Sequence, residues 1–431
     1  MTWPLVALER VADVVGGSTP SRGEPRYWGP GHFWVTPTDL PMPGDGILDL
    51  GFTGETITDE GLDSISANVL PVGTVLYSTR ATIGKLAIAN VPVVTNQGFN
   101  NLIAGPAIYN RYLAYALQFY TPDISRLAGS TTFKEVSRSS LRSFKIPVPP
   151  KKEQHRIVEL LDQADALRRL RRAADAKAAR ILPTLFVKMF GDPAVNPMGW
   201  PLLPLSEVIR SVTAGWSAPS SGRPASAGEF GVLKVSAVTS GRFRPGENKF
   251  VADVGNVNDL VTPKKGDLLF SRANTRELVA ASCVVERDYP SLFLSDKLWR
   301  LTPVSDVASA MFLKELFWQS GLRDKFRASS SGSSGSMLNI SKDAMLRTLA
   351  PIPPFALQAK FDRIAWSVLE SVQKAIDGAN GIEIIWNQLL QKAFSGELTA
   401  KWRGGHMRGL LAEVQQQAKV LNLPAPKESV V

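Results

Sequence analysis

Two long stretches of this chain place apolar or small residues at steps of three and four, and the sequence between them reads as short strands broken by turns. From Glu153, the positions Ile157, Leu160, Ala164, Leu167, Ala174, Ala178, Ile181 and Leu185 keep the helical spacing of a coiled-coil seam, with Arg171 in one slot. Phe361, Ile364, Val368, Ala375, Ile382, Ile385 and Leu389 repeat the pattern later in the chain. Pro150 and Pro354 stand where each helix should open, at or just before the first turn, where a missing N–H costs little. Pro183 should kink or end the first helix near Leu182, and Gly378 with Gly381 should weaken the second midway. Each stripe must be covered, either by its own neighbouring domain or by the other helix.

The remaining apolar pattern is strand-like. GTVLYS, GKLAIAN and VPVVTN in the first half, and GDLLFS, LVAASCVVE and KLWRLTP in the second, cluster β-branched and aromatic residues between Gly, Pro and Asn stops. A helical patch follows each set, NRYLAYALQFY from Asn110 and SAMFLKELFWQSG from Ser309. Strand order is not readable at this level.

The chain repeats itself. WPLVALERVADVVGG from Trp3 answers WPLLPLSEVIRSVTAG from Trp200, and GTVLYSTRA from Gly73 answers GDLLFSRAN from Gly266. At one constant offset Phe133, Val136, Ser137, Pro147, Pro149, Pro150 and Gln154 map onto Met337, Ile340, Ser341, Pro351, Pro353, Pro354 and Gln358. Ordered matches of this kind mark a tandem of two units, and two equivalent units related by a pseudo-dyad cover each other's stripes most naturally. The expected fold is α/β: two similar strand-rich mixed domains separated by two long helices packed as an antiparallel coiled coil. We expect a first domain over 1–150, a first spacer helix over 151–190, a second domain over 199–353, a second spacer helix over 354–403, and a C-terminal extension over 404–431 with a short helix and a loose tail. A helix from Lys151 to Leu182, at about 1.5 Å per residue, spans about 48 Å. That is comparable with the roughly 34–36 Å between major-groove faces one helical turn apart.

At 431 residues the chain is too long for one ordinary core. It has no apolar run near the roughly 18 residues needed to span a bilayer, and its start lacks the pattern of a secretory signal, so a soluble cytoplasmic protein is expected. The single Cys283 cannot form an internal disulfide or a cysteine metal cluster. Lys and Arg number 49 against 39 Asp and Glu, a net charge of +10, which makes a polyanion a plausible partner.

Catalytic patterns are missing. His32, His155 and His406 lie far apart and in no metal spacing, and neither a Walker phosphate loop nor a dinucleotide fingerprint is present. The double prolines sit in VPPK and IPPF, which are not the motifs of amino-methyltransferases. Asp59 and Glu60 read as solvated surface, and the serines of GSTT and GSSGS have no convincing histidine partner. The reading is a chain with no catalytic residue, no metal and no cofactor of its own.

The repeated loops look like recognition surface instead. Residues 16–29, GGSTPSRGEPRYWG, combine flexible glycines with hydroxyls, Arg22, Arg26 and the aromatics Tyr27 and Trp28. Arginine forks onto guanine or phosphate, and hydroxyls take phosphate oxygens. The alternative is an ordinary surface loop with its aromatics packed beneath. Just beyond predicted strands, Ser78 and Arg80 with Asn96 and Gln97 offer a guanidinium suited to guanine and amides suited to adenine. Arg80 has a structural salt bridge as its alternative. The second unit offers Arg223, then Ser271, Arg272, Asn274 and Arg276, then Lys297. The serine-rich run 327–336 is either a segment that orders on a phosphate backbone or a linker. Ile157, Leu160, Leu167, Ile181, Phe361, Ile364, Val368, Ile382 and Leu389 are assigned to the helix seam. Arg168, Arg169 and Arg172 lie outside it, facing DNA, an acidic partner or solvent.

These blocks also resemble a known family, the DNA-specificity subunit of type I restriction-modification systems. WPLVALERVADVVGGSTPSR with YWGPGHFWVTPTDL is similar to the start of a target-recognition domain, and GTVLYSTRATIGKLAI with VVTNQGF to its central block. GSTTFKEVSRSSLRSFKIPVPPKKEQHRIVELLDQAD resembles the passage into the first spacer helix, which LPTLFVKMFGDP closes; LLQKAFSGELTAKWR closes the second. The second unit departs more, with LSDKLWRL in place of the TNQGF block. The resemblance implies two target-recognition domains, each reading half of a bipartite asymmetric DNA sequence, with the helices fixing the unread gap. It implies docking of two methyltransferase subunits carrying S-adenosylmethionine and adenine N6 methylation, and a motor-nuclease subunit using ATP with Mg. The competing reading is a two-domain protein–protein scaffold without DNA specificity; a third is an enzyme with unrecognised acids.

Overall fold

The computed structural model describes residues 3–129, 134–254, 260–332 and 337–422. The chain divides into two compact units, Met1–Arg171 with Gly378–Val431, and Arg172–Asp377. Each unit therefore takes one part of both long helices.

In the first unit the strands are β1 (Leu5–Ala7), β2 (Ala12–Gly16), β3 (Trp28–Val35), β4 (Leu48–Leu50), β5 (Glu55–Ile57), β6 (Val75–Ser78), β7 (Leu86–Ala89), β8 (Val93–Thr95), β9 (Phe99–Ala104) and β10 (Lys145–Pro147). They form a five-stranded sheet in the order β2-β9-β6-β7-β4, a three-stranded sheet β5-β3-β8, and the pair β1-β10. β6 is buried at every position, which explains why its run VLYS does not alternate with exposed polar residues. The helix Asn110–Arg126 packs Tyr112, Leu113, Ala116 and Leu117 into the main core.

The second unit holds β11 (Leu202–Pro204), β12 (Ile209–Ala214), β13 (Phe230–Leu233), β14 (Asn248–Val251), β15 (Leu268–Ser271), β16 (Ala273–Asn274), β17 (Ser282–Val284), β18 (Leu292–Leu294), β19 (Leu298–Pro303), β20 (Leu338–Asn339) and β21 (Leu349–Pro351). Its sheets run β12-β19-β15-β17, β14-β13-β18 and β11-β21, with β16 paired to β20. Apart from β4, and from β16-β20, which the first unit answers with the single bridge Arg80 to Glu135, this is the strand order of the first unit. Even the parallel pairing inside an otherwise antiparallel small sheet recurs, β3 with β8 and β13 with β18. β4 and the short helix Asp59–Asp63 have no counterpart among the described residues of the second unit. The second unit divides its helical patch into Ala310–Trp318 and Ser320–Ala328, with Gln319 extended between them.

The repeated double proline has the same job in both units. The long helices are Lys151–Ala179 and Phe355–Ser395, and Pro150 and Pro354 lie just before them, their carbonyls accepting from the Gln154 and Gln358 N–H groups. The Gln154 side chain accepts from the Tyr109 N–H at 2.7 Å and donates to the Ala107 and Pro149 carbonyls. Gln358 accepts from Ser309 N–H at 3.0 Å and donates to the Val307 and Pro353 carbonyls. One buried amide thus ties three backbone groups at the joint between head and helix. Ser137 and Ser341 cap equivalent short helices, Arg138–Ser143 and Lys342–Arg347, through their hydroxyls.

Several details of the helices correct the sequence reading. In the first unit the buried face of the first helix runs through Ile157, Val158, Leu161, Asp165 and Arg168, while Leu160 is half-buried and Leu167 is 64% exposed. Past Leu160 the covered stripe lies about one residue C-terminal to the expected seam, because the helix packs on Tyr115 and its neighbours in the head. In the second unit Leu182, Phe186 and Phe190 are buried and Ile181 is 46% exposed. Phe361 and Ala365 are buried there, Val368 is partly packed, and Ile364 is 39% exposed. Trp386, Leu390, Ala393 and Phe394 fill the first unit's core, with Leu389 against it and Ile382 half-buried. The seam position Ala375 falls among side chains outside the described set.

The first helix stops at Ala179 and a new one, Ile181–Phe190, starts after Arg180. The break falls ahead of Pro183, whose ring would strike the carbonyl four residues back. The second helix runs unbroken through Gly378 and Gly381 and ends at Gly396, whose φ of 85° suits glycine.

The C-terminal segment belongs to the first unit. Glu153, fully buried, accepts from Thr399 Oγ1 at 2.6 Å, Arg403 Nε at 2.7 Å and Trp3 Nε1 at 3.2 Å. The helix Met407–Val420 follows, its Glu413 paired with Lys152 and its Gln417 donating to the same Ala107 and Pro149 carbonyls that Gln154 uses. The residues 423–431 expected to be loose lie outside the described set, as do Ser130–Phe133 and Ser333–Ser336.

Candidate nucleic-acid interface

In each unit the loop that follows the first sheet strand crosses the turn after the parallel-paired strand, and glycine makes the crossing possible. A Cβ on Gly17 would lie 2.1 Å from the Asn96 carbonyl oxygen, and one on Gly215 would lie 2.0 Å from that of Leu294. The approach lets the Ser18 N–H donate to Thr95 O and the Trp216 N–H to Leu294 O. Side chains then meet across it: Thr19 bonds Gln97 in the first unit, and Ser217 bonds Asp296 in the second. The same position therefore presents a neutral amide in one head and a carboxylate, with Lys297 at 3.2 Å, in the other. The Ser217 hydroxyl holds the Asp296 carboxyl below the usual range.

The first unit gathers most of its candidates. Thr79 N–H donates to Gly98 O, so the segment carrying Arg80 is fastened to the turn carrying Asn96 and Gln97. Asn96 accepts from the Gly98 N–H, while Gln97 is exposed. Arg80 is exposed too, 3.5 Å from Glu135 in an ion pair open to solvent. Ser78 is different. It is fully buried, donating to Thr82 O and accepting from Lys85 N–H, so its hydroxyl closes a turn inside the fold. Arg26 stands apart beside Glu24 and Glu60 and over Tyr27. Arg138, which the sequence did not single out, brings its guanidinium against Gly16.

In the second unit Arg272 N–H donates to Lys297 O and Ile340 N–H to Arg272 O. That repeats the Thr79 to Gly98 and Val136 to Thr79 bonds, so Arg272 takes the place of Thr79 and not of Arg80. Among the described residues its Nε and the Nδ2 of Asn274 are buried donors without a hydrogen-bond partner, and Asn274 Oδ1 accepts from Thr275 N–H. Asn274 is 6% exposed, which removes it from the open surface expected of it. Arg276 is exposed, and its carbonyl accepts from Arg327 Nε.

Two arginines share one arrangement. Arg22 lies 3.8 Å over the Trp28 ring and forks onto Glu55 with bonds of 2.6 and 2.8 Å. Arg223 lies 3.9 Å over the Phe250 ring and forks onto Glu229 with the same two lengths. Both forks remain partly exposed. The Arg22 fork lowers the titration of Glu55; Glu229, held by Arg223 and by the Ser226 N–H, is lowered to about 2. The sequence did not single out the partner glutamates: Glu55 reaches the Arg22 loop from the remote strand β5, and Glu229 lies six residues beyond Arg223 in the same loop. Arg168 is a correction of another kind. It is 3% exposed, bonded to Asp165, Glu383 and Gly44 O and stacked on Trp386, so it serves the first unit's interior. Arg169 is half-exposed beside Asp165.

Among the described residues no group of three or more His, Cys, Asp or Glu is placed to hold a metal, and no helix is long and apolar enough to cross a membrane. Residues 1–177 match the family described as the type I restriction modification DNA specificity domain. The MjaIX specificity subunit of Methanocaldococcus jannaschii is 31% identical over 234 residues, which is 50% of this chain and 54% of that protein. This chain is thus matched to it over about half of that relative's length. The EcoKI specificity subunit of Escherichia coli K12 is 24% identical over 75% of this chain and 74% of its own. A solved type I S subunit from M. genitalium superposes with a TM-score of 0.52 at 16% identity, covering 91% of this chain and 96% of that one. That likeness is one of fold.

Proposed function

We propose, from the family match over its first 177 residues and from its likeness to specificity subunits, that the chain is a DNA specificity subunit of a type I restriction-modification system, that it reads a bipartite, asymmetric double-stranded DNA target, and that it catalyses nothing itself. The observation that carries the reading is the duplicated head: one shared strand order, extended by β4 in the first unit, with the same glycine crossing and side chains of different charge at the same place. A shared frame with different loops suits two unlike half-sites.

In this reading 1–150 and 199–353 are the recognition domains, 151–190 and 354–403 the spacer helices, and 404–431 an extension fastening the end of the chain. The exposed candidates Arg22, Arg26, Arg80, Gln97, Arg223 and Arg276, with Asn96, Arg272 and Lys297 beside them, supply the contacts. Phosphate contacts bring most of the affinity and its salt dependence, and base-edge contacts supply about 1–3 kcal/mol of discrimination each. The helices act as an antiparallel ruler. Support comes from contacts inside each unit: Glu153 meets Thr399 and Arg403 while the later Arg168 meets the earlier Glu383. Phe186 meets Phe361 in the second unit. Two methyltransferase subunits, carrying S-adenosylmethionine, dock on this core, and restriction subunits using ATP and Mg join through them.

Matched heptad insertions in both helices test the ruler. Methylation mapping of the assembled complex should then show a changed gap between unchanged half-sites, whereas insertion in one helix alone should abolish assembly. An unchanged gap after matched insertion, in a soluble complex, removes the ruler.

A further inference from the structure

The two arginine forks suggest a device for rejecting DNA. Arg22 and Arg223 lie in equivalent loops, each between the first sheet strand and the next, each next to a glycine and within two residues of a proline, yet they take their acids from different places. Glu55 comes from β5, and Glu229 from the approach to β13. The two loops share the frame Pro-Ser-X-Gly-X-Pro, with the arginine before the glycine in the first and after it in the second, yet reach one geometry: guanidinium carbon 3.8 or 3.9 Å from an aromatic centroid, both outer nitrogens on one carboxylate. The aromatic ring is itself tied to the loop. Trp28 Nε1 donates to Ser21 O, and Phe250 exchanges backbone bonds with Ser221 and Arg223.

We infer that Glu55 and Glu229 are specificity-determining placeholders, which occupy Arg22 and Arg223 until a G·C pair is presented. The inference rests on the DNA-reading function proposed above. An unpartnered arginine near DNA binds any phosphate, and such contacts carry no sequence information. An arginine already forked onto a carboxylate gains little by exchanging it for a phosphate, and the released carboxylate then faces a polyanion. A G·C pair accepts both groups, since guanine O6 and N7 receive the fork and cytosine N4 donates to a carboxylate. The ring beneath each guanidinium, 3.8 or 3.9 Å away, holds it by cation–π attraction, which opposes its swing toward the backbone.

The test compares Glu55→Gln and Glu229→Gln with Asp63→Asn in the full chain assembled with its methyltransferase subunits. Asp63 is an exposed acid of the first head, at the end of the short helix Asp59–Asp63 and outside the forks. Anisotropy titrations use the mapped target duplex and a random-sequence duplex of equal length over a range of salt. Each fork variant should bind the random duplex roughly three- to tenfold more tightly, with a salt slope steeper by up to about 0.9, and its preference for the target should narrow by a similar factor. Asp63→Asn should stay within about twofold of the unsubstituted complex. Unchanged or weaker binding of the random duplex by both fork variants overturns the inference, because the acids then only position their arginines. An equal gain from Asp63→Asn also overturns it, since net charge alone then explains the effect. If the unsubstituted complex itself shows no preference for its target, the DNA-reading proposal falls as well, which separates the two failures.

Discussion

The joints and the loops of the two heads teach opposite lessons. At the joint, Gln154 and Gln358 hold the same three kinds of backbone group with bonds of 2.7 to 3.0 Å, as if one part had been cast twice. At the loop crossing, Gln97 in one head answers Asp296 in the other, and Arg80 has only Ala273 at the matching bridge. The joint must satisfy buried backbone groups, and one amide of fixed length does so in one way. The crossing faces solvent, where a change of charge leaves the frame intact.

The joints are nevertheless not equally defended, and this gives the largest expected effect. In the first unit Gln417 also donates to the Ala107 and Pro149 carbonyls, at 3.2 and 3.1 Å. Among the described residues no second glutamine donates to the Val307 and Pro353 carbonyls that Gln358 holds. Each orphaned buried group costs about 1–3 kcal/mol, so Gln358→Met should destabilise the second unit by about 3–5 kcal/mol and Gln154→Met the first by about 2 kcal/mol. Hydrogen exchange followed peptide by peptide separates the units. Equal losses would mean that Gln417 gives no support.

How much of this was legible follows from the same contrast. The repeat, the six strand runs, the helical patches and the double-proline helix starts all appear in the sequence because local pattern and turn chemistry specify them. The exposed arginines at 22, 80 and 223 were legible as residues, but their carboxylate partners were not: Glu55 and Glu135 come from remote segments, and Glu229, six residues after Arg223, meets it through the fold of a loop that has no local periodicity. Leu167, Ile181 and Ile364 were misassigned for a physical reason: a helix covered partly by its own head buries a stripe rotated from the helix–helix seam. Ser78 and Asn274 look available in sequence, yet strand ends draw small polar side chains inward to satisfy backbone groups. The helix Met407–Val420 was expected only as a short addition. Its contacts through Glu413, Gln417 and Leu421 depend on partners hundreds of residues away.

A smaller effect should distinguish the loops. Asp296→Asn removes the charge that separates the second crossing from the first while keeping the side chain's size, and Gln97→Ala removes the amide of the first. Each should change base preference in its own half-site, by about tenfold at most, and leave the other half untouched. Methylation mapping with randomised targets reads both halves at once. Variants that move the same half, or neither, break the correspondence between the two crossings.

The smallest effect lies in how the two forks respond to acid. Glu229 is lowered to about 2 because the Ser226 N–H adds to the Arg223 fork, whereas Glu55 is lowered through Arg22 alone. A depressed carboxylate adds stability that is present above its unfolded pKa, about 4.3, and is lost as pH falls through its folded value. Both forks are therefore complete at neutral pH, and the second should persist to lower pH than the first. Carbon-detected titration of the two side-chain carboxyls in selectively labelled protein should give a midpoint near 2 for Glu229 and a higher one for Glu55, still below the ordinary range. Both acids are largely solvated, so global stability should barely change over that interval. A reversed order would mean that the backbone donor at Ser226 does not hold Glu229 in solution, and the likeness of the two forks would then rest on their arginines and rings alone.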